Sequence, residues 1–215
     1  MKLTAWSDAD WNGQPDQHLS TTGWIIFLGD APISWSSKTQ RCAARSTAEA
    51  EYIAASSCAQ EIVYLQMLTA SIEHHTSTVP VFTNTGTEED PGIIRRWREW
   101  VQQNGDTAHH FTDSLNAIAN ARMPPGWLQE ALRHIKTHFH FVKQFILDRS
   151  ISLEHCRGER NCSDIFTKGY GTSKTTTVNQ RADAFKKHAK FCLGMRDWAT
   201  TGPRQTATAA ASMAH

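Results

Sequence analysis

The chain has 215 residues, of which 40% are hydrophobic and 20% are charged, and its formal net charge is +1. This composition is typical of a soluble globular protein rather than a disordered one. No apolar run approaches the roughly 18 residues that a membrane span needs, and the first residues form no signal segment, so we expect an intracellular or particle-enclosed protein. Five cysteines without close spacing favour reduced thiols over a disulfide framework.

Acidic and basic residues are unevenly distributed along the chain. Residues 1–70 contain four Lys or Arg and seven Asp or Glu, whereas residues 131–190 contain twelve Lys or Arg and five Asp or Glu. An acidic region beside a basic region suits a protein that binds metal in one place and phosphate groups in another. An ordinary solvated surface gives the same counts, so charge alone does not decide between the two.

The first third of the chain has the pattern of an antiparallel meander followed by a helix. Alternating or β-rich runs at residues 3–8, 23–28 and 32–36 are separated by turn sequences that contain Gly and Asn or Asp. The capping box Ser46-Thr47-Ala48-Glu49 predicts a helix start, and apolar residues at helical spacing continue the helix to about Leu68. We therefore expect three antiparallel strands and one long helix.

The rest of the chain alternates strand and helix patterns. Strand patterns occupy residues 78–83 and 151–155, the second of which is the fifth strand of the predicted sheet. Together with the meander, this alternation predicts an α/β fold with a mixed sheet. Helix patterns are found at about residues 114–118, 127–147, 163–168 and 179–193.

Two stretches interrupt this organisation. Residues 85–110 begin with an acidic turn and continue with an amphipathic pattern in which Ile93, Trp97 and Trp100 share one side, so we interpret them as an inserted helix. The Thr- and Ala-rich end, residues 196–215, predicts a disordered tail. The expected organisation is one domain over residues 1–195, with the insertion at about 85–110.

Four acidic residues occupy strand ends or helix starts, where the chain geometry lets them converge. Clustered carboxylates repel one another, so proteins keep such clusters mainly to bind cations. Hard oxygen ligands in this number favour Mg²⁺ or Mn²⁺ over zinc, and two such ions can assist an in-line phosphoryl displacement. For any single acid, a helix cap or a solvated surface group is the ordinary alternative. The four are Asp8, Glu51, Asp113 and Asp164.

Helical and strand periodicity separates some acids from their neighbours. Glu51 begins an apolar stripe and is therefore predicted to face inward, whereas Glu49 lies on a mostly polar face and suits reciprocal capping. Asp8 and Asp10 share strand parity, so periodicity does not choose between them.

Several motifs, in family order over about residues 3–195, resemble the ribonuclease H (RNase H) domains of copia-type retrotransposons. Any one of them is a weak signal, but their common order is a strong one. The motifs are Trp6-Ser7-Asp8-Ala9-Asp10-Trp11, Leu19-Ser20-Thr21-Thr22-Gly23-Trp24, the run from Pro32 to Gln40, Ser46 to Tyr52, Asp113 to Ile118, His134 to Phe141, and Ser163-Asp164-Ile165-Phe166-Thr167-Lys168.

The resemblance implies an RNase H-like fold, with three antiparallel strands followed by parallel strands in one five-stranded sheet flanked by helices. It implies an endonuclease that cuts the RNA strand of RNA–DNA hybrids and leaves a 5′-phosphate and a 3′-hydroxyl. It also implies that Asp8, Glu51, Asp113 and Asp164 are catalytic and bind two Mg²⁺ ions, with Mn²⁺ as an alternative, and that Glu51 is the acid preceding the family's aromatic residue.

The same resemblance implies which partners and location to expect. The hybrid would be distinguished by its wide minor groove and its 2′-hydroxyls. The Lys- and Arg-rich second half would contact it, as would Trp11 or Trp35 near the strand ends. We expect linkage to a reverse transcriptase in a polyprotein, no membrane, and a cytoplasmic location that includes virus-like particles, with the nucleus as an alternative.

The chain departs from the family pattern before the third acid. Residues 85–110 have no counterpart in that pattern, and the usual distance from Glu51 ends near Asn84 rather than Asp113. Asp113 is preferred because the helix sequence of the motif follows it. If Asn84 took the position, an amide would replace a metal-binding carboxylate, and the chain would be an inactive nucleic-acid-binding or interaction module. An integrase-like nuclease would need a glutamate where this chain has Asp164.

Histidines and cysteines outside these motifs offer weaker alternatives. His134 and His138 are interleaved with phenylalanines, which favours packing or phosphate contact over metal binding. His155, nine residues before Asp164, is a candidate for the mobile histidine that many RNase H enzymes use. A zinc site can also be drawn, although its spacings are not the close pairs of structural zinc sites, from His155, Cys156, Cys162, His188 and Cys192.

Overall fold

Three antiparallel strands begin the fold: β1 (Leu3–Gln14), β2 (Leu19–Leu28) and β3 (Ala31–Thr39). The predicted meander is confirmed, and each strand is longer than predicted. The sequence around Asn12 looked like a turn, and Asn12 does have a positive φ of 55°, but it lies in an irregular part of β1 between Asp10 and Gln14. The added strand ends are mostly polar, so hydrophobic alternation did not reveal them.

The computed structural model describes most of the chain, and the facts below refer to that part. Several predictions lie outside it: the strand at 78–83, Asn84, most of the insertion at 85–110, His134, His188, Cys192 and the tail at 196–215. The described residues are 2–14, 18–74, 101, 105, 107–124, 135–168, 185–186 and 189–190.

Two parallel strands complete the sheet: β4 (Ala108–Thr112) and β5 (Ile151–His155). The strand order is β3-β2-β1-β4-β5, and β4 pairs in parallel with both β1 and β5. The predicted mixed five-stranded sheet is therefore confirmed. Because β1 and β4 are parallel neighbours, with Trp6 opposite Phe111, the residues that follow them lie at the same edge of the sheet.

The insertion predicted at about 85–110 overlaps the start of β4. Residues 108–110 are the first part of β4, in which Ala108, His110 and Thr112 are buried and the residues between them are partly exposed. The strand contains two adjacent histidines and only one large apolar residue, so it lacks the usual apolar signal of a buried strand.

Four helices pack on this sheet: α1 (Thr47–His74), α2 (Leu115–Arg122), α3 (Lys136–Leu147) and the single turn α4 (Asp164–Thr167). A 3₁₀ turn, Gly158–Arg160, precedes α4. The predicted start of α1 is confirmed, but the helix extends past Leu68 because no helix-breaking residue follows it. Among the helices of the described ranges, none has both the length and the apolar character that crossing a bilayer requires.

The N-terminus of α1 shows the predicted reciprocal capping. The Ser46 hydroxyl accepts from the Glu49 backbone N–H at 3.2 Å, and the Glu49 carboxylate accepts from the Arg45 N–H at 2.9 Å. Although its helix face is mostly polar in sequence, Glu49 is only 1% exposed. Two turns further along the same face, Ser56 Oγ lies 3.0 Å from His138 Nδ1, so this polar face also contacts α3.

The sheet is packed on both faces. On one face, Ala5 and Ile26 join Tyr52 and Ile62 of α1 in the larger core. On the other face, Trp6 lies between Phe27 and Phe111, with ring centroids 5.4 Å from each, in a smaller core that includes Cys162. Burying β1 on both faces holds its backbone in place, and Asp8 is two residues beyond Trp6.

Candidate metal centre

Three of the four predicted acids converge at the carboxyl edge of the sheet. Asp8 lies on β1, Asp113 directly follows β4, and Asp164 begins α4. One carboxylate oxygen from each lies within 4.8 Å of the others. Since β1 and β4 are parallel neighbours, Asp113 is brought beside Asp8, and the turn after β5 carries Asp164 to the same place.

Glu51, the fourth predicted acid, comes from α1 and borders this aspartate group. It does not belong to the set within 4.8 Å. Burial, together with the charges of Asp8, Asp113 and Asp164, raises the pKa of its carboxyl to about 9, although the hydrogen bond that it accepts from the Ala9 N–H acts to lower it. Its Oε2 atom is buried and has no hydrogen-bond partner among the described residues.

The structure distinguishes Asp8 from Asp10, which periodicity could not. Asp8 is 4% exposed, and burial, aided by the charges of Asp164 and Asp113, raises its pKa to about 6 against the lowering effect of the Thr167 hydroxyl. Asp10 is partly exposed and lies outside the group of three. Burial also raises the pKa of Asp113, and the charge of Asp164 adds to the effect. Carboxylates held this close without full neutralisation favour a cation between them.

The short helix α4 is held on the sheet by contacts that sequence reasoning did not find. Thr167 donates a hydrogen bond to Asp8 Oδ2, and Ser37 donates to the Phe166 carbonyl oxygen at 2.6 Å. The helix lies over Gly23, the β2 residue paired with Asp8; a Cβ atom at Gly23 would lie 2.6 Å from Thr167 Cγ2. The missing side chain of Gly23 thus allows α4 to approach the sheet closely enough to place Asp164 near Asp8.

Lys168 is a further residue of the site that the sequence did not single out. It follows α4, and its ammonium group pairs with the Asp164 carboxylate. Burial lowers the pKa of Lys168, but the hydrogen bond and charge of Asp164, together with the charges of Asp8 and Asp113, outweigh burial and raise it. Spacing offered a signal, because Asp164 and Lys168 are an i,i+4 pair at the end of a recognised motif.

The residues present fit a hard divalent cation. All of the converging side chains supply carboxylate oxygens, which Mg²⁺ and Mn²⁺ prefer, and Glu51 has a buried oxygen that no described residue satisfies. Within the described ranges, the aspartate group is the only cluster of three side chains able to bind a metal ion. Two of the proposed zinc ligands, His188 and Cys192, lie outside those ranges, and Cys162 is buried in the smaller core.

Other predicted contacts have separate surroundings. His155 is exposed at the end of β5, and its charge lowers the pKa of Asp113. His138 is half-buried against α1, and burial lowers its pKa. Trp11 is 45% exposed and donates to the Ala44 carbonyl at 3.0 Å, while Trp35 is 60% exposed on β3. His155, Trp11 and Trp35 are therefore accessible to a large ligand.

His110 lies on β4 close to the site and makes stability depend on pH. It is fully buried, its Nε2 atom lies 2.8 Å from Ser7 Oγ, and burial lowers its pKa from 6.5 to about 3. Because the unfolded chain binds the proton more tightly, this histidine contributes stability above pH 6.5 that is lost as the pH falls towards 3. Relative to His110→Gln, the parent should lose about 1.4 kcal/mol of unfolding free energy for each pH unit between pH 6.5 and about 3.

Urea unfolding of the parent and His110→Gln between pH 7 and 4.5 measures this difference. Asp8 and Glu51 titrate in the opposite direction in both proteins, so they cancel from the comparison. His140→Gln, the same change at an exposed histidine of α3, is the matched control. Parallel profiles for all three proteins would contradict the assignment to His110.

The chain is similar in sequence to the Pol polyproteins of plant transposons. It is 27% identical over 168 residues to the retrovirus-related Pol polyprotein from transposon RE2 of Arabidopsis thaliana, a match that covers 78% of this chain and 10% of the polyprotein. The chain is a homologue of Pol polyproteins from copia-like transposons. The resemblance predicted from its motifs is confirmed. The chain spans about 10% of the length of the polyprotein that it matches, and no family model matches it.

Solved structures similar to the chain include two RNase H proteins. One is the N-terminal RNase H domain of a Mycobacterium tuberculosis protein, at 12% identity and a TM-score of 0.47, covering 88% of this chain and 96% of that one. The other is LC11-RNase H1 in complex with an RNA/DNA hybrid, at 15% identity and a TM-score of 0.46, covering 77% of this chain and 93% of that one. The sheet of this chain, in the order β3-β2-β1-β4-β5, has the three antiparallel strands followed by parallel strands that the sequence predicted.

Proposed function

We propose that this chain is the RNase H domain of a copia-like Pol polyprotein and hydrolyses the RNA strand of RNA–DNA hybrids with two Mg²⁺ ions, which Mn²⁺ can replace. The observation that carries the proposal is the convergence of Asp8, Asp113 and Asp164 at one edge of the sheet. The homology to Pol polyproteins supports a role on nucleic acid, and linkage to a reverse transcriptase in the same polyprotein is part of the proposal.

The three aspartates and Glu51 would hold the ions. When bound, the metal ions supply a lowered pKa for the attacking water and stabilise the departing ribose oxygen. The chain's own residues fix the geometry: Thr167 donates to Asp8 and orients that carboxylate, and the Ala9 N–H does the same for Glu51. Burial of Asp8 keeps bulk water from its carboxylate, which strengthens its interaction with a cation.

The hybrid is proposed to bind across the carboxyl edge of the sheet. The exposed tryptophans Trp11 and Trp35 offer apolar surfaces near the ends of β1 and on β3, and the Lys- and Arg-rich second half supplies positive charge for phosphates. A hybrid differs from duplex DNA by the 2′-hydroxyls in its minor groove, which would select the RNA strand for cleavage.

Cleavage of an end-labelled RNA–DNA hybrid in Mg²⁺ tests the proposal. The parent should cut the RNA strand and stop when EDTA removes the metal, and Asp113→Asn should lower the rate by roughly 100-fold or more, because one charged ligand is lost. Asp30→Asn, the same change in the β2–β3 turn, should leave the rate unchanged. Equal rates for Asp113→Asn and the parent would remove Asp113 from the site.

The same assay separates the alternative of an inactive module. A parent protein that binds the hybrid in a gel-shift experiment without cutting it, at any Mg²⁺ or Mn²⁺ concentration, would establish binding without catalysis. Product ends distinguish the proposed chemistry from other nucleases, since the proposal requires a 5′-phosphate and a 3′-hydroxyl.

A further inference from the structure

Lys168 places a cationic side chain on a buried carboxylate of the proposed metal centre. Its ammonium group pairs with Asp164 Oδ2, and the Lys168 side chain is 55% exposed whereas that of Asp164 is 4% exposed. The lysine therefore reaches the site from solvent, and its long stem can leave again without disturbing the core. An ordinary surface i,i+4 pair lacks this asymmetry, because both of its partners are solvated.

The charge of Lys168 acts on the whole acidic group. It counteracts the rise in the pKa of Asp8, Asp10 and Asp113. In turn, the charges of Asp164, Asp8 and Asp113 raise the pKa of Lys168. The ammonium group thus supplies positive charge where several carboxylates otherwise repel one another. A divalent cation bound by the same carboxylates would have to occupy the place that the Lys168 ammonium group now takes.

We propose that Lys168 is an internal counter-cation: it neutralises Asp164 while the metal centre is empty, and it must leave Asp164 when a divalent cation binds there. The inference rests on the proposed function, since it assumes that Asp164 is a metal ligand. The physical reason is competition, because an ammonium group and a metal ion on the same carboxylate repel each other strongly at such short range.

This competition gives Lys168 opposite effects on the stability of the metal-free protein and on its affinity for divalent metal. Lys168 stabilises the metal-free protein, because it relieves repulsion within the acidic group. It also weakens the binding of free divalent metal, because that binding includes the displacement of the lysine. A lysine with only a structural role would differ, since its removal would weaken both the fold and the metal site.

The test compares Mn²⁺ binding, followed by electron paramagnetic resonance, in the parent, Lys168→Met and Lys168→Arg. Lys168→Met should bind Mn²⁺ about threefold to tenfold more tightly than the parent, as expected for losing a partly buried ion pair. Lys168→Arg keeps the charge and should bind no more tightly than the parent. Lys2→Met is the matched control, since Lys2 lies six residues before Asp8 along β1, roughly 20 Å away.

Thermal unfolding in EDTA supplies the second readout. Metal-free Lys168→Met should melt a few degrees below the parent, and saturating Mg²⁺ should remove that difference. Mn²⁺ binding that is unchanged or weaker in folded Lys168→Met, while the parent binds, would overturn the inference and leave the proposed function standing. Absence of Mn²⁺ binding by the parent would overturn both.

Discussion

Glu51→Gln is expected to abolish hybrid cleavage and, at the same time, to stabilise the metal-free protein. Burial and the charges of three nearby aspartates together raise the pKa of the Glu51 carboxyl to about 9. A glutamine keeps the shape and can still accept from the Ala9 N–H, but it removes a charge that would bind the metal. We expect a loss of activity of roughly 1,000-fold and a gain of about 1–2 kcal/mol in unfolding free energy.

The pH dependence of the stability gain follows from the direction in which the pKa of Glu51 is shifted. The folded parent holds the Glu51 proton between pH 4.5 and about 9, where the unfolded chain releases it, so the parent loses stability as the pH rises through that window. The amide does not titrate, and the stability difference between Glu51→Gln and the parent should therefore widen from pH 5 to pH 9. Urea unfolding in EDTA measures it.

Glu159→Gln is the matched control for this prediction, because Glu159 is exposed on the 3₁₀ turn near the same edge. It should change neither the cleavage rate nor the pH profile. A Glu51→Gln protein that cleaves at the parental rate would remove Glu51 from the proposed metal centre. If Glu51→Gln and the parent had equal unfolding free energies at every pH, the Glu51 carboxyl would have to be solvated.

Gly23→Ala is expected to disable the site without touching a carboxylate. The added methyl group would lie 2.6 Å from Thr167 Cγ2, 2.9 Å from Phe166 Cβ and 3.1 Å from the Ser163 carbonyl oxygen. These atoms belong to α4 or its start, so the helix has to move away from β2 and carry Asp164 away from Asp8. A displacement of about 1 Å at a reacting centre costs roughly 100-fold in rate, and overpacking costs about 1–3 kcal/mol in stability.

The double variant Gly23→Ala/Thr167→Ser tests whether contact between the new methyl group and Thr167 causes the loss of cleavage. The serine lacks the methyl group that would lie closest to the new Cβ atom at position 23, but it keeps a hydroxyl able to donate to Asp8. The double variant should recover part of the cleavage lost in Gly23→Ala. Gly158→Ala is the matched control, because its new methyl group would meet Asp113 Oδ2 at an ordinary 3.4 Å. No recovery in a folded double variant would place the effect of Gly23 elsewhere.

Local sequence signals predicted the first part of the fold well. Alternating residues in β1 and β2 and the capping box at Ser46 are short-range patterns, so the meander and the start of α1 could be read directly. These signals depend on residues within one or two turns of each other.

Tertiary features could not be predicted in the same way. Strand β4 is short and contains His109 and His110, so its pairing with β1 and β5 is visible only in the sheet. The distance from Glu51 pointed to Asn84, whereas the structure places Asp113 beside Asp8, because chain length between elements does not fix which strand fills a position. Asn84 lies outside the described residues.

The roles of Gly23, Thr167 and Lys168 likewise depend on contacts across the fold. A glycine in a strand signals a close approach but does not say to what. The partner of Gly23 is α4, which is more than 130 residues later in the chain. Only the i,i+4 spacing of Asp164 and Lys168 was available locally, and it does not reveal that Asp164 is buried.

The position of α4 in the chain has a consequence for biosynthesis. Asp8 belongs to the first strand and Asp164 to the last described helix that packs on the sheet, so the ligand set is incomplete until the segment through Thr167 has been translated. A nascent polypeptide that has formed all five strands still lacks one aspartate and the hydroxyl that orients another. During synthesis, the catalytic competence we propose would therefore be acquired after the scaffold, in a late docking event.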